Sequence, residues 1–381
     1  MKNVFKTKTI AVIAFVGLML FSDIFCGGEL FGAINAGDVA KVLKLLKQGY
    51  DVNELAYGGT PLHEAARQNL PVVVHLLVDH GANPNKFAGG LGGGGKPLHF
   101  AAQVGADAAA RALISRGADI NVSDALNRTP LVYALQSSGN PIGSERIALM
   151  LTERGAVLQP SRYYDSILHQ AAKHGYADLA RVLIKKGVSV GARNTSGETP
   201  LHFAASSGFP EMIRLLLHRG ANPNAQNRKQ ETPLHYAARS SRAGEVASVL
   251  LRKGAKLRAV DSNRQNLLHL AVSEGAQNVT GLMNAINALK NGPAAICDLL
   301  RASDYRGDSP LGLAIRIAKE TGDVERSANV TLAMLSAIPP DAFVRELPLI
   351  LRHKDPRKNM SPALKERLYQ DPIGIAFLGL P

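Results

Sequence analysis

Residues 199–224 read TPLHFAASSGFPEMIRLLLHRGANPN. Each part of this stretch has a physical task. Thr199 suits a helix N-cap, where its hydroxyl can accept from a free first-turn N–H. Pro200 is preorganised for the first helical position and has no N–H to waste there. Leu201 is a core residue, and Ala204-Ala205 lets a neighbouring helix approach closely. The following run supplies an aliphatic face through Leu216 and Leu217, and Gly220 fits a left-handed residue just past the helix end. Asn222 and Asn224 then turn the chain. Two helices this short cannot bury their apolar faces alone, so the unit must stack on others like it.

It does recur. Thr-Pro-Leu-His is intact at 60–63, 199–202 and 232–235, and degenerate at 96–99, 129–132, 166–169, 266–269 and 309–312. The starts are spaced by 36, 33, 37, 33, 33, 34 and 43 residues, so a base period of 33 is lengthened by insertions. Ala-Ala stays in phase at 65–66, 101–102, 171–172, 204–205 and 237–238, and Gly-Ala follows the second helix at 81–82, 117–118 and 220–221. On these residues the chain resembles the ankyrin repeat family over about 29–340. A copy without the tetrapeptide, residues 29–53, precedes the eight others, giving nine repeats with the outer two as caps. The resemblance implies an all-α fold: a solenoid of helix-turn-helix units joined by β-hairpin-like loops.

Departures from the period place insertions at Gly89–Gly95, Gln136–Glu145, Ala276–Gly292 and Lys319–Asn329. The last three are expected between the two helices of their repeats. The third has room for further helix, with Leu282, Met283, Ile286 and Leu289 on one face. Residues 341–381 leave the pattern as a Pro-punctuated tail, with Ala363–Tyr369 as its expected helix.

The N-terminus reads as a targeting segment. Lys2, Lys6 and Lys8 precede IAVIAFVGLMLF at 10–21, and Asp23 ends the run. Twelve residues of helix reach about 18 Å, short of the roughly 30 Å hydrocarbon core. A basic segment followed by a short apolar one is the pattern of a secretory signal, with cleavage expected near residue 28. The protein is therefore expected to be secreted or periplasmic. An uncleaved segment or a lipidated Cys26 are the alternatives, and either would tie the chain to a membrane. Cys26 and Cys297 are the only cysteines, too few for a disulfide scaffold.

No pattern for catalysis or for a cofactor stands out, and neither an enzyme nor a metal site is expected. Six of the eleven histidines (His63, His99, His169, His202, His235, His269) occupy the repeat's own position, where a structural hydrogen bond accounts for them. His75 and Asp79 lie one helical turn apart with no further ligand nearby in sequence. Gly90, Gly95 and Lys96 fit a phosphate loop, but Pro97 stands where a hydroxyl residue would be needed. Six N-x-S/T sequons occur, Asn194 and Asn278 among them.

The chain has a net charge of +13, and residues 161–260 contribute +10 of it, from 16 basic and 6 acidic residues. Lys185, Lys186, Arg219, Arg252 and Lys253 precede helix-ending glycines and complement the helix dipole. Arg162, Tyr163, Arg193, Arg228 and Lys229 fall at hairpin tips, and Lys173, His174 and Arg239 follow the Ala-Ala pairs. The resemblance implies that tips and inner helices form the binding face. These eight residues are thus the expected contact with a protein partner carrying an acidic surface, on a monomeric, non-catalytic scaffold. The alternative is an anionic membrane surface or nucleic acid bound through the same stretch. A secretory signal argues against nucleic acid.

Overall fold

The computed structural model describes residues 28–379 except 57, 90–93, 138–139, 159–165, 341–342, 344–349 and 351–355. The targeting segment and the cleavage region up to residue 27 lie outside these. The chain divides into two compact units, Met1–Tyr163 and Tyr164–Pro381. The described residues are helical, with isolated β-bridges in two hairpins, Ala56 with Gly59 and Ala88 with Gly95.

In the first unit the inner row is α1 (Gly28–Asn35), α3 (Pro61–Arg67), α5 (Pro97–Val104) and α7 (Pro130–Gln136). The outer row is α2 (Val39–Lys47), α4 (Pro71–Asp79), α6 (Asp107–Ser115) and α8 (Pro141–Glu153). In the second unit the inner row is α9 (Ile167–His174), α11 (Pro200–Ser207), α13 (Pro233–Ala238), α15 (Leu267–Glu274) and α18 (Pro310–Thr321). Its outer row is α10 (Ala177–Lys185), α12 (Pro210–His218), α14 (Ala243–Arg252), α16 (Ala276–Asn287) and α19 (Val324–Ser336). Proline opens α3, α5, α11 and α13, and both alanines of each Ala-Ala pair are fully buried.

The tetrapeptide histidine joins one repeat to the next. The backbone N–H of Thr60 donates to Nδ1 of His63 at 3.0 Å, and the Thr60 hydroxyl lies 2.9 Å from the same nitrogen. This is a capping box in which an imidazole stands in for the customary Glu or Gln. With Nδ1 accepting, Nε2 must carry the proton, and it donates to the carbonyl of Gly95 in the following hairpin at 3.4 Å. His99 bonds Arg128 O at 2.9 Å, His169 bonds Glu198 O at 3.0 Å, His202 bonds Glu231 O at 3.1 Å and His269 bonds Asp308 O at 3.0 Å. The next repeat's aromatic ring meets His63, His99, His169 and His202 edge-on, through Phe100, Tyr133, Phe203 and Tyr236. Val132 takes the histidine position in its repeat and offers no such bond.

A second ladder runs along the loops that follow the outer helices. Asn85 Nδ2 donates to Gly117 O at 3.0 Å while its Oδ1 accepts from Asp119 N at 2.9 Å. Asn53 does the same to Gly81 and Asn83, and Asn224 to Gly254 and Lys256. Sequence reading assigned these asparagines to turning the chain; they also tie it to the next repeat.

The insertions differ from expectation. The segment read as an insertion at 276–292 forms α16, which takes the outer-row place between α14 and α19, burying Leu282, Met283 and Ile286. The helix expected in that place, α17 (Gly292–Arg301), packs beside it against α16 and α18. The reason is close approach. A Cβ on Gly244 of α14 would sit 2.5 Å from the carbonyl oxygen of Gly281 on α16, so these helices touch through backbone. Asn278, one of the sequons, holds the pair by donating to the carbonyls of Ala238 and Ser240, both at 3.0 Å. At 319–329 there is no inserted loop; α18 and α19 are simply longer, joined at Gly322-Asp323.

In the tail, α20 (Pro362–Leu368) and α21 (Pro372–Gly379) pack on α19 and bury Leu364, Leu368 and Phe377. Arg367 clasps Glu325 through two hydrogen bonds, at 2.8 and 3.0 Å. Sequence reading expected one helix here, and Phe377 shows why there are two: the second supplies the large side chain that closes the end of α19. No helix among the described residues is long and apolar enough to cross a membrane.

The imidazoles make the stack sensitive to acid. Burial pushes His63 and His202 down to about 4, and lowers His99, His235 and His269 as well. His63 and His202 are held as neutral rings, so their stabilisation is complete above pH 6.5 and is lost as pH falls towards about 4, and the other three act in the same direction. For His63 and His202 the shift is worth roughly 3 kcal/mol each. Urea midpoints measured between pH 7.5 and 4.5 should therefore fall steeply, and His202→Gln should flatten part of that slope. A flat profile would contradict the assigned proton positions. Separately, Gly244→Ala should cost about 1–3 kcal/mol through overpacking, more than Gly281→Ala. Equal thermal midpoints for the two variants would show that α14 and α16 separate freely.

Candidate protein-binding surface

The second-unit cations singled out from the sequence fall into three groups by what they touch, while others, such as Arg181, Arg214 and Arg242, pair with acids on their own helices. The first closes helices: Lys185 is the last residue of α10, while Arg219 and Lys253 occupy the positions just after α12 and α14, before glycines in the left-handed region. These are the dipole-complementing positions read from sequence.

The second group is neutralised by its own hairpin. Arg239 Nη2 donates to Glu231 Oε1 at 2.7 Å, and its guanidinium lies over the Tyr236 ring. Glu231 also accepts from Asn227 Nδ2 at 2.8 Å. Burial alone would raise the Glu231 carboxyl, but Asn227 and Arg239 outweigh it and hold it below the usual range. Asn227 donates to the Tyr236 hydroxyl at 3.0 Å, and that hydroxyl donates to Glu198. Burial and Glu198 push the phenol upward. Asn194, another sequon, donates to the other Glu198 oxygen at 2.7 Å. Arg316 repeats the theme two hairpins on, reaching Asp308 Oδ2 at 2.7 Å. The first unit has its own version. Arg128 bonds Asp124 and the Tyr133 hydroxyl, both at 2.7 Å, and burial with Asp124 pushes Tyr133 up to about 12.

The third group projects from the tips. Arg228 and Lys229 are exposed, and among the described residues no carboxylate pairs with either. Lys173 is exposed on α9, and His174 beside it is half-buried, stacked on Tyr176. Arg193 is exposed but committed: its Nη1 donates to Gly197 O at 2.7 Å and to Gln226 O at 2.6 Å, bracing two adjacent hairpins. Arg162 and Tyr163 lie outside the described residues. Thus Lys173, Arg228 and Lys229 keep their charge available, while Arg193 and Arg239 serve the scaffold.

Two tip cations escaped sequence reading, Arg264 and Arg306, both exposed. They sit in a stretch whose net charge is slightly negative, because Asp261, Asp304 and Asp308 are counted there. All three aspartates are buried, where Asp261 and Asp304 accept N–H groups of their own hairpins. Phase within the repeat, not local net charge, was the signal that could have found them.

Other candidates resolve into structure. His75 and Asp79 are both engaged by Arg116, whose Nε donates to His75 Nδ1 at 2.8 Å. Lys96 sits at the N-cap of α5 with its N–H on His99 Nδ1 at 3.1 Å, a repeat start. Residues 90–93 of the near phosphate loop lie outside the described residues. Cys297 is buried in α17.

Comparison with known proteins agrees with this geometry. The family described as "Ankyrin repeats (3 copies)" matches residues 30–124, 149–227 and 220–291, more than half of the chain. A crystal structure of the human ASB11 ankyrin repeat domain superposes with a TM-score of 0.51 at 29% identity, over 59% of this chain and 97% of that one. A 60-residue segment is 42% identical to the 2-5A-dependent ribonuclease of Mus musculus. That segment is 15% of this chain and only 8% of the relative, so the match carries none of that protein's activity across. Ladder, hairpins and family match lead to one conclusion: the chain belongs to the ankyrin repeat family.

Proposed function

We propose that this protein is an exported, non-catalytic binding module that docks the acidic surface of a protein partner on the hairpin tips and inner helices of its second unit. The family fold is a protein-interaction scaffold, and the carrying observation is the division of its cations. Arg239 and Arg316 are neutralised internally, whereas Lys173, Arg228 and Lys229 face solvent without a carboxylate partner among the described residues. By their phase in the sequence alone, Arg162 and Tyr163 remain candidates for contact with the partner. Rigid placement matters as much as charge: the hairpins are fixed by the histidine bonds, so a partner meets them without an ordering cost. Export rests on the basic and apolar segments of residues 1–21.

Two experiments test this. Protein recovered from its own host should give an N-terminal sequence starting near residue 29; an intact Met1 on cytosolic protein would refute export, and a lipid on Cys26 would replace it with anchoring. With a partner captured by the mature chain, reversing Arg228 and Lys229 to Glu should slow association much more than reversing Lys185 and Lys186. The wild-type rate should also fall as salt shortens the screening length to about 8 Å. Equal effects from the two double variants, or a salt-independent rate, would leave the basic stretch as solvated surface only.

A further inference from the structure

The tips of the second unit are sewn into a row. The N–H of Arg228 donates to Ser196 O at 2.9 Å, that of Ser262 to Lys229 O at 2.9 Å, and that of Tyr305 to Asn263 O at 3.0 Å. Four consecutive hairpins therefore hold their tips in fixed register. Along this row stand Arg228 and Lys229, then Arg264, then Arg306, all exposed, and among the described residues none is paired with a carboxylate. Arg306 lies over the exposed Tyr305 ring and donates to its hydroxyl at 2.5 Å, which props the guanidinium at the tip.

Arg264 is placed against backbone preference. Its φ is +59°, in the left-handed region; of the matching tip positions in the other three hairpins, two carry Gly197 and Gly307 and the third carries Gln230, at φ +61°. A glycine would relieve this strain and remove the charge. Two of the four hairpins keep a side chain at this penalised tip position, Gln230 and Arg264, and Arg264 is the charged one.

We infer that this row is a linear dock for an extended, acidic peptide segment of the partner, with a carboxylate on about every third residue. Successive packed helices, and the tips they carry, step by about 8–10 Å. An extended chain covers that distance in roughly three residues at about 3.3 Å each. The row is one cation deep, with Glu231 and Asp308 in the same hairpins just behind it. A nucleic-acid strand, bearing a charge every 3.4 Å or so, would place phosphates against those carboxylates. Spaced carboxylates would meet only the cations. The inference rests on the acid-docking function proposed above and adds to it a register, a direction along the tips and two further residues.

The test uses the mature full chain and two labelled twelve-residue peptides of Glu and Ser with identical composition. One has Glu at every third position; the other has its Glu residues clustered. The spaced peptide should bind several-fold more tightly, and Arg264→Gly and Arg306→Gln should each weaken it by roughly threefold or more. Arg264→Gly should meanwhile keep or raise the thermal midpoint, which a merely structural arginine would not do. Equal binding of the two peptides, indifference to Arg264→Gly, or stronger binding of a single-stranded oligonucleotide or of phosphatidylserine vesicles would overturn the inference. If Arg228 and Lys229 still govern capture of the protein partner in that event, the broader reading survives and only the register fails.

Discussion

The imidazole that five repeats, through His63, His99, His169, His202 and His269, hydrogen-bond to the following hairpin is the constraint on which the rest of the structure depends. It accepts the N-cap N–H of its own helix and donates to a carbonyl at the base of the following hairpin, both in a buried setting. Neither bond can be replaced by water there, and loss of either would strand a polar group at a cost of about 1–3 kcal/mol. Since the accepting carbonyl immediately precedes the next N-cap, helix start and hairpin position are set together. The asparagine ladder repeats the device where the outer helices give way to the hairpins. Contacts run only between neighbours, so the array can lengthen without a central core.

That scaffold decides which charges are available. A hairpin fixed at its base can bury a carboxylate and aim it at its own inner-helix arginine, as Glu231 does for Arg239 and Asp308 for Arg316. These pairs are part of the fold. The cations left over, Arg228, Lys229, Arg264 and Arg306, stand on the tips, where among the described residues no carboxylate pairs with them. Position in the repeat thus separates structural from available charge more sharply than net charge along the chain.

The fold was legible because its signals are local and repeated. Thr-Pro, Ala-Ala and Gly-Ala each act within one helix or turn, and their phase gave the inner helices and most outer ones. The misreading at 276–301 has a different cause. Both α16 and α17 are apolar on one face, and only the Gly244–Gly281 contact, between residues 37 apart, decides which one joins the outer row. Arg239 looked available because its neutraliser, Glu231, lies on the preceding hairpin and was counted merely as one acid among six. Arg264 and Arg306 were hidden by the opposite error, aspartates that balance them in composition but are buried beneath them. Periodicity could place all of these residues; pairing needed three dimensions.

The account is tested most directly by the protonation of the repeat histidines. Long-range proton–nitrogen NMR correlations at pH 7 on selectively labelled protein should show His63, His99, His202 and His269 as neutral rings with the proton on Nε2. For His63 and His202, which burial lowers to about 4, those signals should persist well below pH 6. Imidazolium signals at neutral pH, or protons on Nδ1, would mean that the imidazoles do not bridge the repeats and that the hairpin tips are held in some other way.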